Sequence, residues 1–356
     1  RYGRRKSWII LTQLIIVFCI FTLSSINPID SLSFFIFIAF LIAFSGSIQD
    51  IAIDAFRIEY ADISDQGNLA AAYQFGYRLA ILAATSLALI LADNYGWSTS
   101  YEVMGLLMLI GLIGVVISKK ENINTHLEIL NFKNSFIKPI KDFGSRYGFY
   151  LASLLLLIVA TYRLTDIVMG PMANPFYLDM GYSLTEIGSV VKIVALIASV
   201  IGVFLGGILI KKIGLYYSLL TGAFLVMMTN ACFSYVAISQ EEYILLGSIK
   251  MPLKLSLIVG LDSIAAGIVG TVNITFLTSM VSKKYTAVQY ALLTSFMMLP
   301  GKFFGGFSGL LASYFQVISN LNYGWMYFYL FTSLLTVPSI IFIMINKNFF
   351  INDKSI

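Results

Sequence analysis

The sequence predicts an all-α membrane protein that crosses the bilayer many times, and its composition gives the first indication. Of the 356 residues, 58% are hydrophobic and 12% are charged, and the mean hydropathy is +0.86. Soluble domains carry about 25% charged residues, so this chain has too few polar residues to cover a surface exposed to water. The hydrophobic residues come in long runs rather than in alternation, which excludes an outer-membrane β-barrel.

Ten of these runs are long enough for transmembrane helices, because a bilayer core of about 30 Å needs about 20 apolar residues in an α-helix. The predicted spans are residues 8–27, 31–56, 70–92, 98–118, 148–170, 184–210, 213–238, 255–281, 285–313 and 324–346. Several exceed this length, which indicates tilted helices or helices that extend beyond the hydrocarbon.

The basic residues predict the direction of the spans, because cytoplasmic loops of membrane proteins are enriched in Lys and Arg. If the chain starts in the cytoplasm, the inner loops and termini hold 17 of the 23 basic residues, whereas the outer loops hold Lys250 and Lys254. Both termini are therefore predicted to be cytoplasmic.

A basic interval at residues 119–147 separates four spans from the six that follow. Four spans follow each of the clusters Arg4-Arg5-Lys6 and Lys211-Lys212, but two further spans precede the second cluster within its half. The pattern favours two six-helix repeats that lack the first two helices; a ten-helix protein with chance symmetry is the alternative. Because residue 1 is Arg and its basic cluster leads directly into a span, we expect the chain to be a fragment.

This organisation predicts three regions along the chain. They are an N-terminal four-helix bundle at residues 1–118, a cytoplasmic linker at 119–147 and a C-terminal six-helix bundle at 148–356.

Eight ionisable residues lie within the predicted spans or near their ends. They are Arg78, Arg163, Lys192, Lys302, Asp50, Asp54, Asp166 and Asp262. Each charge costs roughly 2.5–3.5 kcal/mol at the centre of a membrane helix. We therefore expect these side chains to face one another, water or a ligand.

Asp50, Asp54 and Arg57 share one face of the second span, beside Gln49, because they are spaced i, i+4 and i+7. Carboxylates one turn apart repel each other, which favours the uptake of a proton. Proton or substrate handling is one interpretation. The other is an inner gate, in which these acids clamp Arg1, Arg4 or Arg5.

Arg78 in the third span follows Tyr73 and Gln74 and offers a planar fork for a carboxylate or phosphate. An anionic ligand is one interpretation, and a fixed ion pair with Asp54 is the other.

Arg163 and Asp166 are spaced i, i+3 in the fifth span, ahead of Pro171 and Pro175. The prolines predict a break at the outer end of this helix, and a broken membrane helix is tolerated where it lines protein or water. We interpret the two charged residues as part of a substrate cavity, with a plain kink as the alternative. Lys192 is a further candidate for substrate binding, or it extends to the membrane surface.

Asp262 and Lys302 lie in helices rich in small residues. Asp262 precedes Gly267 and Gly270, which permit close helix contact, and it is a candidate for proton coupling or a buried ion pair. Lys302 follows Pro300-Gly301, and we expect it to balance Asp262 or to reach the inner gate.

The sequence contains no pattern typical of an enzyme or of an ATP-driven pump. It lacks a P-loop, a GxGxxG turn, an HExxH motif and a Ser–His–Asp arrangement, and its two cysteines, Cys19 and Cys232, lie in hydrophobic runs. We expect no metal and no cofactor, and the expected energy source is a proton gradient. The expected partners are a small-molecule substrate and the lipid bilayer rather than nucleic acid, and the expected state is a monomer.

Several motifs resemble those of one transporter family. Gly3-Arg4-Arg5-Lys6 and Lys211-Lys212 resemble the basic loops of the major facilitator superfamily. Further segments resemble the muropeptide permease (AmpG) family from end to end: Gln49-Asp50-Ile51-Ala52-Ile53-Asp54-Ala55, Gly76-Tyr77-Arg78-Leu79, Leu91-Ala92-Asp93, Tyr162-Arg163-Leu164-Thr165-Asp166, Val191-Lys192, Thr286-Ala287-Val288-Gln289-Tyr290-Ala291-Leu292-Leu293 and Tyr323-Gly324-Trp325.

The resemblance implies a proton-coupled importer of N-acetylglucosaminyl-anhydromuramyl peptides for cell-wall recycling, with Asp50 and Asp54 as the paired acids of that family. The resemblance also implies a location in the inner membrane. We expect the first two helices of the family to be missing from this chain. The chain also has Asp262 where relatives tend to have Glu and Lys302 where they tend to have Arg. Acetyl-CoA transporters share part of the pattern, so an organic-anion transporter is the alternative, and a degenerate fragment or sensor that transports nothing is another.

Overall fold

A computed structural model describes residues 3–60, 65–118, 132–183, 186–187, 193–246 and 249–352. This part of the chain is almost entirely helical. Its α-helices are α1 Arg4–Ser24, α2 Leu32–Tyr60, α3 Gln66–Leu82, α4 Ala88–Ile117, α5 Phe132–Thr161, α6 Leu164–Met169, α7 Ala173–Asp179, α8 Ala195–Ile238, α9 Leu253–Ser279, α10 Thr286–Gly305, α11 Ser308–Ile318, α12 Leu321–Leu334, α13 Val337–Ile345 and α14 Lys347–Asn352.

Short irregular elements join some of these helices. A π-helix at Ala83–Leu87 connects α3 to α4, and a 3₁₀ helix at Gly170–Met172 connects α6 to α7. Strands β1 Tyr243–Leu246 and β2 Ile249–Pro252 pair antiparallel between α8 and α9, with Tyr243 opposite Pro252.

The all-α transmembrane prediction is confirmed, because each of the ten predicted spans lies on helical segments where the structure describes it. Seven helical segments in the described ranges are long and apolar enough to cross a membrane. This number is lower than ten partly because helices continue through bends. Gly214 in α8 has a φ of 77°, a value that favours glycine, and it lies at the start of the predicted span 213–238; this span and most of the preceding one belong to one 44-residue helix.

The described chain divides into two compact units. The first comprises residues 1–62, 76–140 and 281–291, and the second comprises residues 63–75, 141–280 and 292–356. The predicted arrangement of two bundles and a linker stays a prediction, and residues 119–131 of that linker lie outside the described residues.

In the first unit, α1 packs against both α2 and α4. The Gln13 side-chain amide donates a hydrogen bond to the carbonyl of Met108 in α4, and the Ser98 hydroxyl donates to the carbonyl of Ser24 at 2.7 Å. Cys19 and Ile38 are buried where α1 meets α2. These contacts hold α1 against α2 and α4.

In the second unit, α8 and α9 cross at glycine residues. A Cβ added to Gly267 would lie 2.7 Å from the backbone nitrogen of Val203, and the hydroxyl of Thr271 donates to the Val203 carbonyl at 3.2 Å. Small residues thus let the two backbones touch, as the sequence around Asp262 predicts.

An aromatic core fills another part of this unit. Phe176 of α7 makes edge-to-face contacts with Trp325 and Tyr329 of α12, with ring centroids 5.4 and 4.8 Å apart, and Phe233 of α8 stacks on Tyr329. The indole nitrogen of Trp325 donates to the carboxylate of Asp179 at 2.9 Å. The core therefore holds α7 and α8 against α12.

Candidate transport site

The α2 stripe, which we define as Asp50, Asp54 and Arg57, contains two carboxylates in different environments. Asp50 is exposed, whereas the side chain of Asp54 is 17% exposed and its Oδ1 lies 3.8 Å from the guanidinium of Arg57. Arg57 is almost fully buried and lies over the ring of Tyr290, 5.4 Å from its centroid. The neighbouring Gln49 is also buried. Two acids one turn apart are thus distinguished by one fixed cation.

The basic residues at the start of α1 contact an acid that sequence reasoning missed. Arg5 donates to Glu59 Oε1 at 2.9 Å and to the Thr286 hydroxyl at 2.8 Å, and Arg4 lies 3.6 Å from the same Glu59 oxygen. The Thr286 hydroxyl donates to Glu59 as well. Glu59 is therefore one carboxylate that holds Arg4 and Arg5, and the gate interpretation, which named Asp50 and Asp54, stays a prediction. Arg1 lies outside the described residues.

The α3 residues predicted to bind substrate are all partly exposed. They are Tyr73, Gln74 and Arg78, and Arg78 follows Gln74 by one helical turn. In the second unit the Gln74 side-chain amide packs directly against Gly270 of α9. Gln74 therefore has a packing role in this structure, while Arg78 belongs to the first unit.

The second unit brings together Arg163, Asp166 and Asp262, which we call the carboxylate cluster. Arg163 Nε lies 3.9 Å from Asp166 Oδ2, and the two side chains are 34% and 20% exposed. The Thr229 hydroxyl of α8 donates to Asp262 Oδ1 at 2.8 Å, and the charge of Asp166 acts on Asp262. Sequence spacing predicts the first pair, but only the fold places Asp262 beside it.

The helix that carries Arg163 is broken earlier than the prolines predict. The α-helix α5 ends at Thr161, and Tyr162 and Arg163 form a turn before α6 begins at Leu164. Pro171 lies in the 3₁₀ segment, and Pro175 lies in the first turn of α7. The hydroxyl of Thr165 contacts the carbonyl of Thr332 and the hydroxyl of Thr336, at 3.1 and 2.7 Å, and so ties the broken helix to α12 and its C-terminal end.

Sequence comparison decides the family. Residues 1–306 match the Major Facilitator Superfamily. The chain belongs to this superfamily. Solved structures agree at the level of the fold: the proton:xylose symporter XylE is similar over 97% of this chain and 80% of its own, with a TM-score of 0.70 and 14% identity. The E. coli fucose:proton symporter FucP is similar over 96% and 83%, with a TM-score of 0.65 and 14% identity.

Curated relatives place the chain in the AmpG family of the major facilitators. AmpG 1 of Rickettsia bellii (strain RML369-C), named as a transporter, is 31% identical over 98% of this chain and 82% of its own length. AmpG 4 of Rickettsia conorii (strain ATCC VR-613 / Malish 7) is 30% identical over 97% and 80%. The anhydromuropeptide permease of Escherichia coli (strain K12) is 27% identical over 97% of this chain and 66% of its own length.

The resemblance that the motifs indicated is therefore confirmed, and the chain is a multi-pass major facilitator transporter for a small molecule. These relatives are named as transporters or permeases rather than as enzymes, in agreement with the sequence prediction.

Two further residues of the predicted site are Lys302 and Lys192. Lys302 is exposed in α10, and within the described part of the chain it forms no ion pair with Asp262, so the predicted balance between these residues is absent from this structure. Its helix packs closely elsewhere, because a Cβ on Gly301 would lie 2.6 Å from Ile167. Lys192 lies outside the described residues.

Proposed function

We propose that this protein imports anhydromuramyl peptides across the inner membrane for cell-wall recycling. The proton gradient drives this import, and the transporter works by alternating access. The observation that carries this proposal is the similarity to the E. coli anhydromuropeptide permease over 97% of the chain. In this proposal the protein works as a monomer without a cofactor, and both termini are cytoplasmic.

The α2 stripe supports coupling to protons. Asp54 is mostly buried beside Arg57, and Asp50 is exposed one turn away. A carboxylate at such a position carries either a proton or a charge, and the cost of a charge in the membrane makes its protonation sensitive to the surroundings. Loading and release of one proton would then bias the conformational equilibrium of the transporter.

Arg78 is the proposed contact for the substrate. Anhydromuramyl peptides carry carboxylates, and the partly exposed guanidinium offers a bidentate charge-assisted bond. Tyr73 on the same helix offers a hydroxyl that can form hydrogen bonds with sugar hydroxyls. The amide of Gln74 packs against Gly270, so we give it a smaller role in substrate binding.

Uptake by proteoliposomes that contain the purified protein tests this proposal. A labelled GlcNAc-anhydroMurNAc-tripeptide should accumulate when the outside is acidic, unlabelled tripeptide should compete, and acetyl-CoA should not. Empty liposomes are the control. Competition by acetyl-CoA alone would favour the organic-anion alternative. Absence of both transport and binding would favour the degenerate alternative.

Reporter fusions test the proposed orientation. Fusions within residues 93–97, 171–183 and 239–252 should report an external location, because the cytoplasmic loops hold most basic residues. A cytoplasmic signal at any two of these loops would contradict the topology.

A further inference from the structure

The part of α5 that precedes Gly148 is a helix of its own, outside the predicted transmembrane spans. Gly148 has a φ of 69°, so the chain turns there, and residues 132–147 form a helix about 24 Å long. The predicted span 148–170 begins at this turn. We call residues 132–147 the linker helix, because the sequence predicts a linker here.

One face of the linker helix is held by the protein. The Gln289 side-chain amide donates to the carbonyl of Pro139 at 2.9 Å, and the guanidinium of Arg146 donates to the carbonyl of Met280 at 3.1 Å. Arg146 also pairs with Asp142 of the same helix at 3.0 Å. These contacts hold the helix on the folded protein, so its other faces have a defined orientation.

A second face of the linker helix is apolar and exposed. Phe136 and Ile140 share this face, because they are spaced i, i+4, and they are 46% and 58% exposed. Phe149 and Tyr150, directly after the turn, are exposed as well. Aromatic residues at the start of a span are typical of the boundary between membrane and water. One turn thus connects the linker helix to this boundary, and the bilayer surface is the apolar phase within its reach.

A third face of the linker helix is basic. The helix contains four basic residues and one acidic residue, and the acidic residue, Asp142, is paired with Arg146. Lys138 and Lys141 are spaced i, i+3, with Lys141 exposed and Lys138 half-buried. The aliphatic part of a lysine can lie along an apolar surface while its ammonium group reaches a charged partner. An apolar face beside a basic face is typical of helices that lie in the plane of a membrane.

We propose that the linker helix lies in the surface of the bilayer and binds anionic phospholipids. Phe136 and Ile140 enter the boundary between the headgroups and the acyl chains, and Lys138 and Lys141 bind the lipid phosphate groups. The proposed orientation of the chain places the helix at the cytoplasmic leaflet, whose negative surface charge complements this basic face. The inference goes beyond muropeptide import and does not depend on the substrate.

Electron paramagnetic resonance of the full chain tests the position of the linker helix, in nanodiscs of equal parts phosphatidylcholine and phosphatidylglycerol. Cys19→Ala and Cys232→Ala remove the native thiols. A nitroxide is then attached at Ile140→Cys or, as the matched control, at Ser145→Cys, an exposed position on another face of the same helix. The label at position 140 should be accessible to oxygen, which dissolves in the membrane, and shielded from a water-soluble nickel complex. The label at position 145 should show the reverse.

The lysines are tested by titration of the protein labelled at position 140, in detergent, with dioctanoyl phosphatidylglycerol or dioctanoyl phosphatidylcholine. Binding is measured as reduced mobility of the label. Lys138→Gln and Lys141→Gln should each raise the half-saturating concentration of phosphatidylglycerol roughly fivefold. Lys211→Gln and Lys212→Gln, at exposed lysines of α8, are the matched controls and should not change it.

Three results would overturn the proposal. Access of the nickel complex to the label at position 140 would place this face in water. Shielding of that label from both reagents, or broadening of its spectrum by a label on a second copy, would mean that protein covers the face. Equal affinity for the two lipids would remove the anionic preference.

A second measurement applies if the cysteine-free protein unfolds. Ile140→Trp, with the native cysteines retained, should add fluorescence that brominated phosphatidylglycerol quenches, and absence of this added quenching would contradict the proposal. No substrate is present in any of these experiments, so failed muropeptide import leaves their results unaffected and the two proposals fail separately.

Discussion

Each of the two units contains a set of two aspartates and one arginine, the α2 stripe in the first and the carboxylate cluster in the second, but each unit assembles its set differently. In the first unit the three residues share one face of α2, within two helical turns. In the second unit Arg163 and Asp166 lie at a helix break and Asp262 comes from α9, almost a hundred residues later. Helix periodicity alone specifies the α2 stripe, whereas the carboxylate cluster depends on how α6, α8 and α9 pack together.

The two arginines also differ in their surroundings. The side chain of Arg57 is 5% exposed and lies over Tyr290, whereas that of Arg163 is 34% exposed. A buried, stacked guanidinium is a fixed charge beside its neighbour Asp54. We therefore expect changes in the α2 stripe to affect coupling directly. The carboxylate cluster should respond both to direct substitutions and to changes in helix packing.

The largest expected effect is that of Asp54→Asn. A neutral amide cannot cycle a proton, so the variant should lose proton-driven accumulation of substrate while it retains exchange of substrate across the membrane. Uptake and exchange are measured separately in proteoliposomes. Asp50→Asn should have a milder effect, because Asp50 lies outside the ion pair with Arg57. Normal pH-dependent uptake by Asp54→Asn would return the α2 stripe to the gate interpretation.

A second prediction concerns which unit binds the substrate carboxylate. A charge-assisted bond to Arg78 should contribute on the order of 1.5–3 kcal/mol. Arg78→Lys keeps the charge but loses the planar fork, so substrate affinity should fall roughly 10-fold with folding intact. Binding is measured by isothermal calorimetry, with Lys138→Arg as a control for exchange of the two basic residues. Unchanged affinity would make Arg78 a structural counter-ion and would direct attention to Arg163.

The third prediction uses the glycine contact that supports the carboxylate cluster. In Gly202→Ala the added Cβ would lie 2.8 Å from Cα of Ile264 and closer still to its carbonyl oxygen. Overpacking of this kind costs about 1–3 kcal/mol, and it should displace α9 near Asp262. Thermal unfolding in detergent should show a lower Tm.

Gly46→Ala provides the matched control, because no atom lies within 4 Å of the added Cβ in α2. This variant should keep its Tm. Equal Tm values for the two variants would show that the α8–α9 crossing adapts easily, and the distinction between the two units would then be weaker.

The smallest expected effect comes from Tyr182→Phe, at the end of the second unit that the proposed topology places outside. The Tyr182 hydroxyl donates to Glu241, whose carboxylate accepts from the backbone N–H groups of Lys254 and Leu255 at the start of α9. Loss of the first bond should destabilise the protein by about 1 kcal/mol at neutral pH. Tyr95→Phe, at an exposed tyrosine, is the control and should change little.

The same variant has an expected pH dependence. Burial, the hydrogen bond to Glu241 and the charge of that residue raise the pKa of Tyr182. The resulting stability is fully present below about pH 10, the value for an unperturbed tyrosine, and is lost as the pH rises above it. Tyr182→Phe should therefore show a shallower alkaline decline in Tm. An identical decline in both proteins would contradict the assignment.

The sequence predicts the helical architecture and the α2 stripe because both follow from local patterns. Runs of about 20 apolar residues give the spans, and spacing of i, i+4 and i+7 places Asp50, Asp54 and Arg57 on one face. Gly267 and Gly270 indicate close packing of α9, which the contacts of Gly267 confirm. These features need no knowledge of tertiary contacts.

The contacts that sequence reasoning missed join distant segments. Glu59 lies beyond the predicted end of its span at residue 56. The pattern of spans therefore does not predict its hydrogen bonds with Arg5 and Thr286. Thr229 is a plain polar residue in an apolar helix until the fold brings it to Asp262. The break at Tyr162 and Arg163 contains no proline, and the Thr165 hydroxyl just after it contacts Thr332 of α12 and Thr336 in the turn beyond α12.

Substrate-dependent proton movement is the most direct test of the central claim that this major facilitator couples import to the proton gradient. Proteoliposomes with a pH-sensitive dye inside receive external GlcNAc-anhydroMurNAc-tripeptide at equal pH on both sides. We predict internal acidification that begins with substrate addition, is abolished by a protonophore and is absent in Asp54→Asn. Substrate entry without any internal acidification would contradict the account.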